Sequence, residues 1–114
     1  MYEYAIDNRC IMRRAYAGLV AGDLSSFVKP IAPGVVRGVL DQVLHPFAVD
    51  VVDLRVDPLD FTSAPGRVRV AGLVTATRRD DRAGVAASFC HEWRVSYGVA
   101  WRFEQNIDVL PSLV

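Results

Sequence analysis

The sequence predicts a single α+β domain over residues 1–114, with three helices in about 4–45 and an antiparallel sheet in about 47–109. Apolar residues recur at helical spacing in the first part, and strand-like alternation begins after His45-Pro46. Short turns with glycine separate the later segments. With 52% hydrophobic and 23% charged residues, the chain can bury a core, which excludes a disordered or coiled-coil protein.

Three helices are expected in the first part, at about 4–21, 24–31 and 37–44. In the first, Ile11, Ala15 and Leu19 lie four residues apart and form one apolar face. Asp23 can cap the second helix, and Pro30 should end it early or kink it. The Ala32-Pro33-Gly34 segment is expected to break the chain before the third helix.

Four strands joined by short turns are expected to form an antiparallel meander with helices on one face, which leaves a concavity between the layers. On the third strand, alternation places on one face Phe89, His91, Trp93 and Val95. On the last strand, the corresponding face carries Trp101, Phe103, Gln105 and Ile107. If both faces line the concavity, His91 and Gln105 are polar groups in an apolar wall. They are either part of a pocket or part of a satisfied core.

Two stretches carry a resemblance to a known family. The first stretch is AYAGLVAGDL at 15–24, followed by Ala32-Pro33. The second is FCHEWRV at 89–95, followed by Gly98, Arg102-Phe103 and Ile107-Asp108. Both resemble the SnoaL-like group of the nuclear transport factor 2-like superfamily. Ketosteroid isomerases are relatives of this group. The resemblance implies a cone-shaped α+β barrel whose curved sheet wraps around three helices and encloses a pocket. It also implies pairing of two copies through the outer face of the sheet.

The sequence departs from the isomerase pattern at several positions. The tyrosine that holds the oxyanion there matches Ala15, with Tyr16 one place on, and the general-base aspartate falls near Val39. The second oxyanion acid matches His91. A hairpin that the family places between the second and third helices is missing near Gly34–Gly38, which puts one pocket wall in doubt. The isomerase site is therefore incomplete.

Three functions remain open. The first is binding of a hydrophobic, carbonyl-bearing small molecule, with His91 as hydrogen-bond donor or proton shuttle. The expected ligand-binding residues are Tyr16, Trp93, Phe103, Gln105 and Ile107. The alternatives are a non-catalytic homodimeric interaction module and a polyketide cyclase- or isomerase-like enzyme that uses His91 as its catalytic residue.

Other partners and cofactors are not expected. A net charge of +0 provides no basic surface for nucleic acid or an anionic membrane, and no metal or cofactor motif is found. Cys10 and Cys90 are isolated and no signal peptide fits, so the predicted location is the cytoplasm. Asp108 is expected to point away from the concavity, and His45 to end a helix.

Overall fold

The computed structural model describes residues 4–111, with side chains from Asn8 onward. The helices are α1 (Tyr4–Val20), α2 (Leu24–Val28) and α3 (Pro33–Leu44). The strands are β1 (Val51–Ala64), β2 (Arg67–Arg78), β3 (Gly84–Ser96) and β4 (Val99–Val109). This order confirms the predicted α+β class. None of the helices in this range is long and apolar enough to cross a membrane.

The short helix α2 is fixed at both ends by residues that the sequence singled out. The Asp23 carboxylate accepts a hydrogen bond from the Ser26 amide and caps the N-terminus. The helix ends at Val28, two residues before Pro30, as predicted. The predicted start of α3 at Arg37 is wrong. The helix already begins at Pro33, because proline fits the first turn of a helix, where no amide donor is needed.

The four strands form one antiparallel sheet in the order β1-β2-β3-β4, as the meander predicts. Strand β3 is central, and its His91 lies between Val70 of β2 and Gln105 of β4. The sheet is open, with β1 and β4 as its edges. The enclosed cone implied by the family resemblance stays a prediction.

An irregularity between β3 and β4 corrects the predicted position of Trp101. Arg94 pairs with Arg102, but the next residue, Val95, pairs with Ala100, so Trp101 is an extra residue on β4. A bulge of this kind shifts the alternation of the strand. As a result Ala100 is buried and Trp101 is 49% exposed, whereas the side chain of Phe103 is partly buried.

The hydrophobic core lies between the helices and one face of the sheet. Its largest fully buried side chains are Trp93, Tyr16, Phe27, Met12, His91, Val39, Val68, Val70 and Val95. The predicted inner face of β3 is confirmed by the burial of Phe89, His91, Trp93 and Val95.

The connection from α2 to α3 contains no hairpin, in agreement with the sequence. Instead, the Pro30 carbonyl accepts from the Ala100 amide at 2.8 Å, and the Ala32 amide donates to the Ala100 carbonyl at 2.8 Å. Ile31 thereby forms a single bridge to β4. This bridge fixes the end of α2 and the start of α3 against the sheet.

Candidate functional site

A chain of side-chain hydrogen bonds runs through the core from β3 to α3. Trp93 Nε1 lies 2.9 Å from the Tyr16 hydroxyl, which lies 2.5 Å from His91 Nδ1. His91 Nε2 lies 2.7 Å from Gln105 Oε1, and Gln105 Nε2 lies 3.1 Å from the Gln42 carbonyl oxygen. The chain therefore joins helix α1, strands β3 and β4, and the last turn of α3.

The two ends of this chain fix the direction of every hydrogen bond. An indole N–H only donates and a backbone carbonyl only accepts. Gln105 must therefore donate through Nε2 to Gln42, and it presents its oxygen to His91. The proton of a neutral His91 is consequently on Nε2, and Nδ1 accepts the hydroxyl proton of Tyr16. Each member has its partner only if the imidazole is neutral.

Burial supports the neutral forms of both titratable members. Desolvation lowers the pKa of His91 to about 4, although the hydrogen bond to Gln105 acts in the opposite direction. Burial also raises the pKa of Tyr16, against the smaller effect of the Trp93 hydrogen bond. Aromatic rings surround the imidazole. Phe89 stacks on it with centroids 4.3 Å apart, and Phe103 approaches edge-on at 5.0 Å.

The structure brings the residues of the predicted site together. Four of them are Tyr16, His91, Trp93 and Gln105, which form the hydrogen-bonded chain. Phe103 contacts both the imidazole and the Trp93 ring. Ile107 lies on the same side of β4, two residues beyond Gln105, and packs partly buried against the core.

The positions matched to the isomerases differ in what they contribute. Ala15 is buried and has no polar side chain, whereas Tyr16, one place on, directs its hydroxyl to His91. Val39 is 1% exposed and provides no carboxylate where the general base is expected. A tyrosine hydroxyl therefore lies one place from the matched position, and the matched base position has no carboxylate.

The space next to His91 and Gln105 is closed. The surrounding side chains are Val43, Pro46, Val56, Val74, Phe89 and Ile107, and the volume left for a water-sized molecule is about 0 Å³. The unfilled hollow expected around the imidazole is thus absent from this part of the structure. Side chains of α3 and the sheet meet there directly.

An open cleft of about 680 Å³ lies alongside the closed space. Its apolar lining comes from Leu19, Val20, Leu24, Leu44, Leu54, Val56 and Leu73. Val56 borders both spaces, and Leu44 of the cleft follows Val43 of the closed space on α3. A volume of this size is in the range of small-molecule sites.

The other candidate residues lie outside this site. Asp108 is exposed and pairs with Ser88 on the outer face of the sheet. His45 is the exposed C-cap residue of α3. Cys10 and Cys90 are free. Among the side chains that the structure describes, those of residues 8–111, no group of three histidine, cysteine or carboxylate side chains could hold a metal ion.

Two participants were missed by the sequence analysis. The Gln42 carbonyl belongs to the last turn of α3, where carbonyl groups have no partner within the helix, and Gln105 supplies one. Phe61 of β1 packs edge-on against Tyr16, with centroids 5.6 Å apart. A backbone carbonyl has no residue-type signal, and the contact of Phe61 depends on the tertiary fold.

Comparisons with known proteins give matches in structure. No family model matches the sequence, and no curated protein matches it significantly. A nuclear transport factor 2-like protein from Burkholderia thailandensis E264 is 19% identical with a TM-score of 0.76, over 89% of this chain and 90% of that chain. A second such protein, from Burkholderia pseudomallei K96243, is 21% identical with a TM-score of 0.71, over 90% and 91%.

A third solved structure is TerC co-crystallised with polyporic acid. It is 21% identical with a TM-score of 0.70, over 89% of this chain and 91% of that chain. The molecule is thus an α+β domain with a polar chain through its core. Its architecture is the nuclear transport factor 2-like fold, which confirms the family resemblance at the level of the fold.

Proposed function

We propose that this chain is a SnoaL-like domain that binds a hydrophobic, carbonyl-bearing small molecule and lacks a complete isomerase site. The observation that carries the proposal is the hydrogen-bonded chain from Trp93 to the Gln42 carbonyl. It places an imidazole N–H and a half-buried amide side by side in an apolar wall. Such walls with a few convergent polar groups are typical of small-molecule sites.

Gln105 is the member of the hydrogen-bonded chain that a ligand would reach first, because its side chain is half-buried while His91 is 1% exposed. A ligand carbonyl that displaced the Gln105 oxygen would receive the Nε2 proton of His91. The rings of Phe89 and Phe103 would then contact the apolar body of the ligand. This role requires His91 to donate a hydrogen bond and requires no charge on it.

Access to this position requires displacement of α3, since the space beside His91 is filled. Only Val39 and Val43 of this helix are fully buried, and the side chain of Gln105 joins its last turn to β4. The cleft of about 680 Å³ provides the route, because it adjoins the closed space at Val56 and at the end of α3. TerC, which shares the fold, was co-crystallised with polyporic acid.

Thermal unfolding with polyporic acid and with a steroid ketone tests this proposal. A ligand at about 100 times its Kd adds roughly 3 kcal/mol of stability, and at least one probe is expected to raise the Tm accordingly. His91→Leu replaces the imidazole with an apolar side chain of comparable size and removes the N–H from which the ligand carbonyl would accept. We expect it to weaken binding about tenfold, the effect of one lost hydrogen bond.

Gln42→Ala is the matched control for this experiment. The Gln42 side chain donates to the Gly38 carbonyl on the exposed side of α3, and only its backbone carbonyl belongs to the chain. The control should bind the probes as the parent protein does. If neither probe raises the Tm, or if both variants bind equally, the polar chain is a core network and the binding proposal fails.

The second candidate function, a homodimeric interaction module, is favoured by the charges on the outer face of the sheet. Arg67, Arg94 and Arg102 lie opposite one another on β2, β3 and β4, a row of like charges whose repulsion Glu92 and Glu104 reduce from the adjacent positions of the same face. Farther along the same face, Asp57 and Asp108 lie in one row. A twofold axis between two facing sheets, parallel to them and across the strands, would place Arg102 opposite Asp108 of the other copy.

Charge reversal tests this pairing. Arg102→Glu alone is expected to shift a dimer towards monomer in light scattering, and Arg102→Glu with Asp108→Arg is expected to restore it. Added salt should weaken the dimer, since these side chains are exposed. A parent protein that stays monomeric at all concentrations contradicts the pairing and leaves the ligand proposal untouched.

A further inference from the structure

A second cavity, of about 500 Å³ and open to solvent, lies outside the core between α1, the end of α2 and the turn that joins β3 to β4. Its apolar lining is Ile11, Ala15, Pro30 and Gly98. The cavity is separate from the His91 region, because Ala15 faces it while the adjacent Tyr16 enters the hydrogen-bonded chain. Its size is sufficient for a small organic molecule.

The three walls of this cavity are fixed to one another. Helices α1 and α2 pack closely at Gly18, where an added Cβ would lie 2.7 Å from Ser26 Cβ. Pro30 is bonded through its carbonyl to Ala100 of β4. The turn residue Gly98 has a φ of 77°, which favours glycine, and it faces Ile11. The cavity is therefore formed before any ligand arrives.

Two cationic side chains, Arg14 and Lys29, border the apolar lining. Both are exposed, and within the described part of the chain neither forms an ion pair or hydrogen bond. The lining includes no carboxylate. The Asp23 carboxylate of the α2 N-cap accepts from the hydroxyls of Ser25 and Ser26, so it is already engaged. The charges facing the cavity are thus positive.

We propose that this cavity binds an amphipathic anion, a small carboxylate with an apolar chain or ring. The apolar part would lie against Ile11, Pro30 and Gly98, and the carboxylate would lie between Arg14 and Lys29. An arginine provides a planar pair of donors for a carboxylate, and a lysine provides a mobile positive charge. The site is distinct from the proposed binding position at His91 and does not depend on it.

Amide NMR titration with octanoate and with octanol tests the proposal. The two probes share the alkyl chain, but only octanoate carries a charge. Octanoate is expected to bind several-fold more tightly, to lose affinity in high salt, and to shift the amide signals of Ser26, Lys29 and Gly98. Signals that move only around His91 and Gln105 would place the probe in the core and overturn the proposal.

Substitutions test the role of the two cations. Arg14→Gln and Lys29→Gln are each expected to weaken octanoate binding about threefold, the range of an exposed ion pair, without a change for octanol. Arg9→Gln removes an exposed arginine of α1 that is not part of the lining and should have no effect. Equal affinity for octanoate and octanol, or no binding of octanoate at millimolar concentration, contradicts an anion site.

Discussion

His91 is an ionisable side chain that the fold keeps neutral. Burial lowers its pKa to about 4 from the ordinary value of 6.5. In the unfolded chain the imidazole therefore takes up a proton at a higher pH than in the folded protein. The stability due to this group is complete above pH 6.5, decreases as the pH falls to about 4, and is constant below that.

The first prediction concerns this pH dependence. Urea unfolding at pH 7.5 and 4.5 should show a loss of about 2 to 3 kcal/mol that is due to His91. His91→Gln is expected to remove that part of the loss. His45→Gln, at the only other histidine, should retain it because His45 is exposed. An unchanged pH dependence in His91→Gln would contradict a buried neutral imidazole.

The second prediction concerns the Tyr16 hydroxyl, which accepts from Trp93 and donates to His91. Tyr16→Phe leaves both partners buried without this hydrogen bond, so we expect a loss of about 1 to 3 kcal/mol in the free energy of unfolding. A double-mutant cycle with His91→Leu measures the coupling. Because the two residues are in contact, their effects should not be additive, and full additivity would argue against the bond.

At the level of the elements, β1 and β2 approach closely at Gly72. An added Cβ there would overlap with the Asp57 carbonyl oxygen and lie 2.9 Å from Phe89 Cζ and from Pro58 Cα. The pairing of the two strands is irregular at this point, between Pro58 and Asp60. The absence of a side chain on Gly72 thus permits the strands to pack against Phe89.

The third prediction follows from this contact. Gly72→Ala is expected to destabilise the protein by about 1 to 3 kcal/mol, the cost of overpacking a core. Gly38→Ala is the matched control, because its Cβ meets no atom within 4 Å and Gly38 lies inside α3. The control should be stabilising by up to about 1 kcal/mol. Chemical denaturation of both variants checks the opposite signs.

The inner face of β3 could be predicted from sequence because it depends only on alternation. Phe89, His91, Trp93 and Val95 are two residues apart and are all buried. The bulge at Trp101 could not be predicted, since the extra residue on β4 is defined only by pairing with β3. The early start of α3 was missed because Pro33 was interpreted as a break and not as a first-turn residue.

The side chains of the candidate site could be predicted from the sequence, Tyr16 of α1 among them, but the hydrogen bonds that join them could not. Tyr16 and His91 are 75 positions apart, and their hydrogen bond follows from the way α1 packs on the sheet. No feature of the sequence indicates that the Gln42 carbonyl accepts a hydrogen bond from Gln105. The filled space around His91 could not be foreseen either, because side-chain packing between α3 and the sheet depends on the position of that helix.

On the scale of the whole molecule, helices α1 and α3 differ in how many buried side chains attach them to the core. Helix α1 contributes Met12, Ala15, Tyr16 and Leu19 to the core, whereas α3 contributes only Val39 and Val43 as fully buried residues. Elements with few buried apolar contacts open at lower free energy than the rest of a fold. The helix that closes the space beside His91 is thus also one of the less firmly attached parts.

The fourth prediction is a difference in hydrogen exchange. The amides of α3 are expected to exchange faster than those of β2 and β3, and Gln105→Leu should increase the difference because it removes the bond to the Gln42 carbonyl. Amides in β2 should not respond to this substitution. Protection of α3 equal to that of β3 would contradict opening at this helix.

The indole at the start of the polar chain has a consequence for recognition. Trp93 only donates to the Tyr16 hydroxyl, so the hydroxyl proton can be given to His91 Nδ1 and the imidazole proton stays on Nε2. A molecule that accepts from Nε2 in place of Gln105 keeps all of these hydrogen bonds. Ketones and quinones do this, whereas an ammonium group would force the other tautomer of His91 and leave the Tyr16 proton without an acceptor.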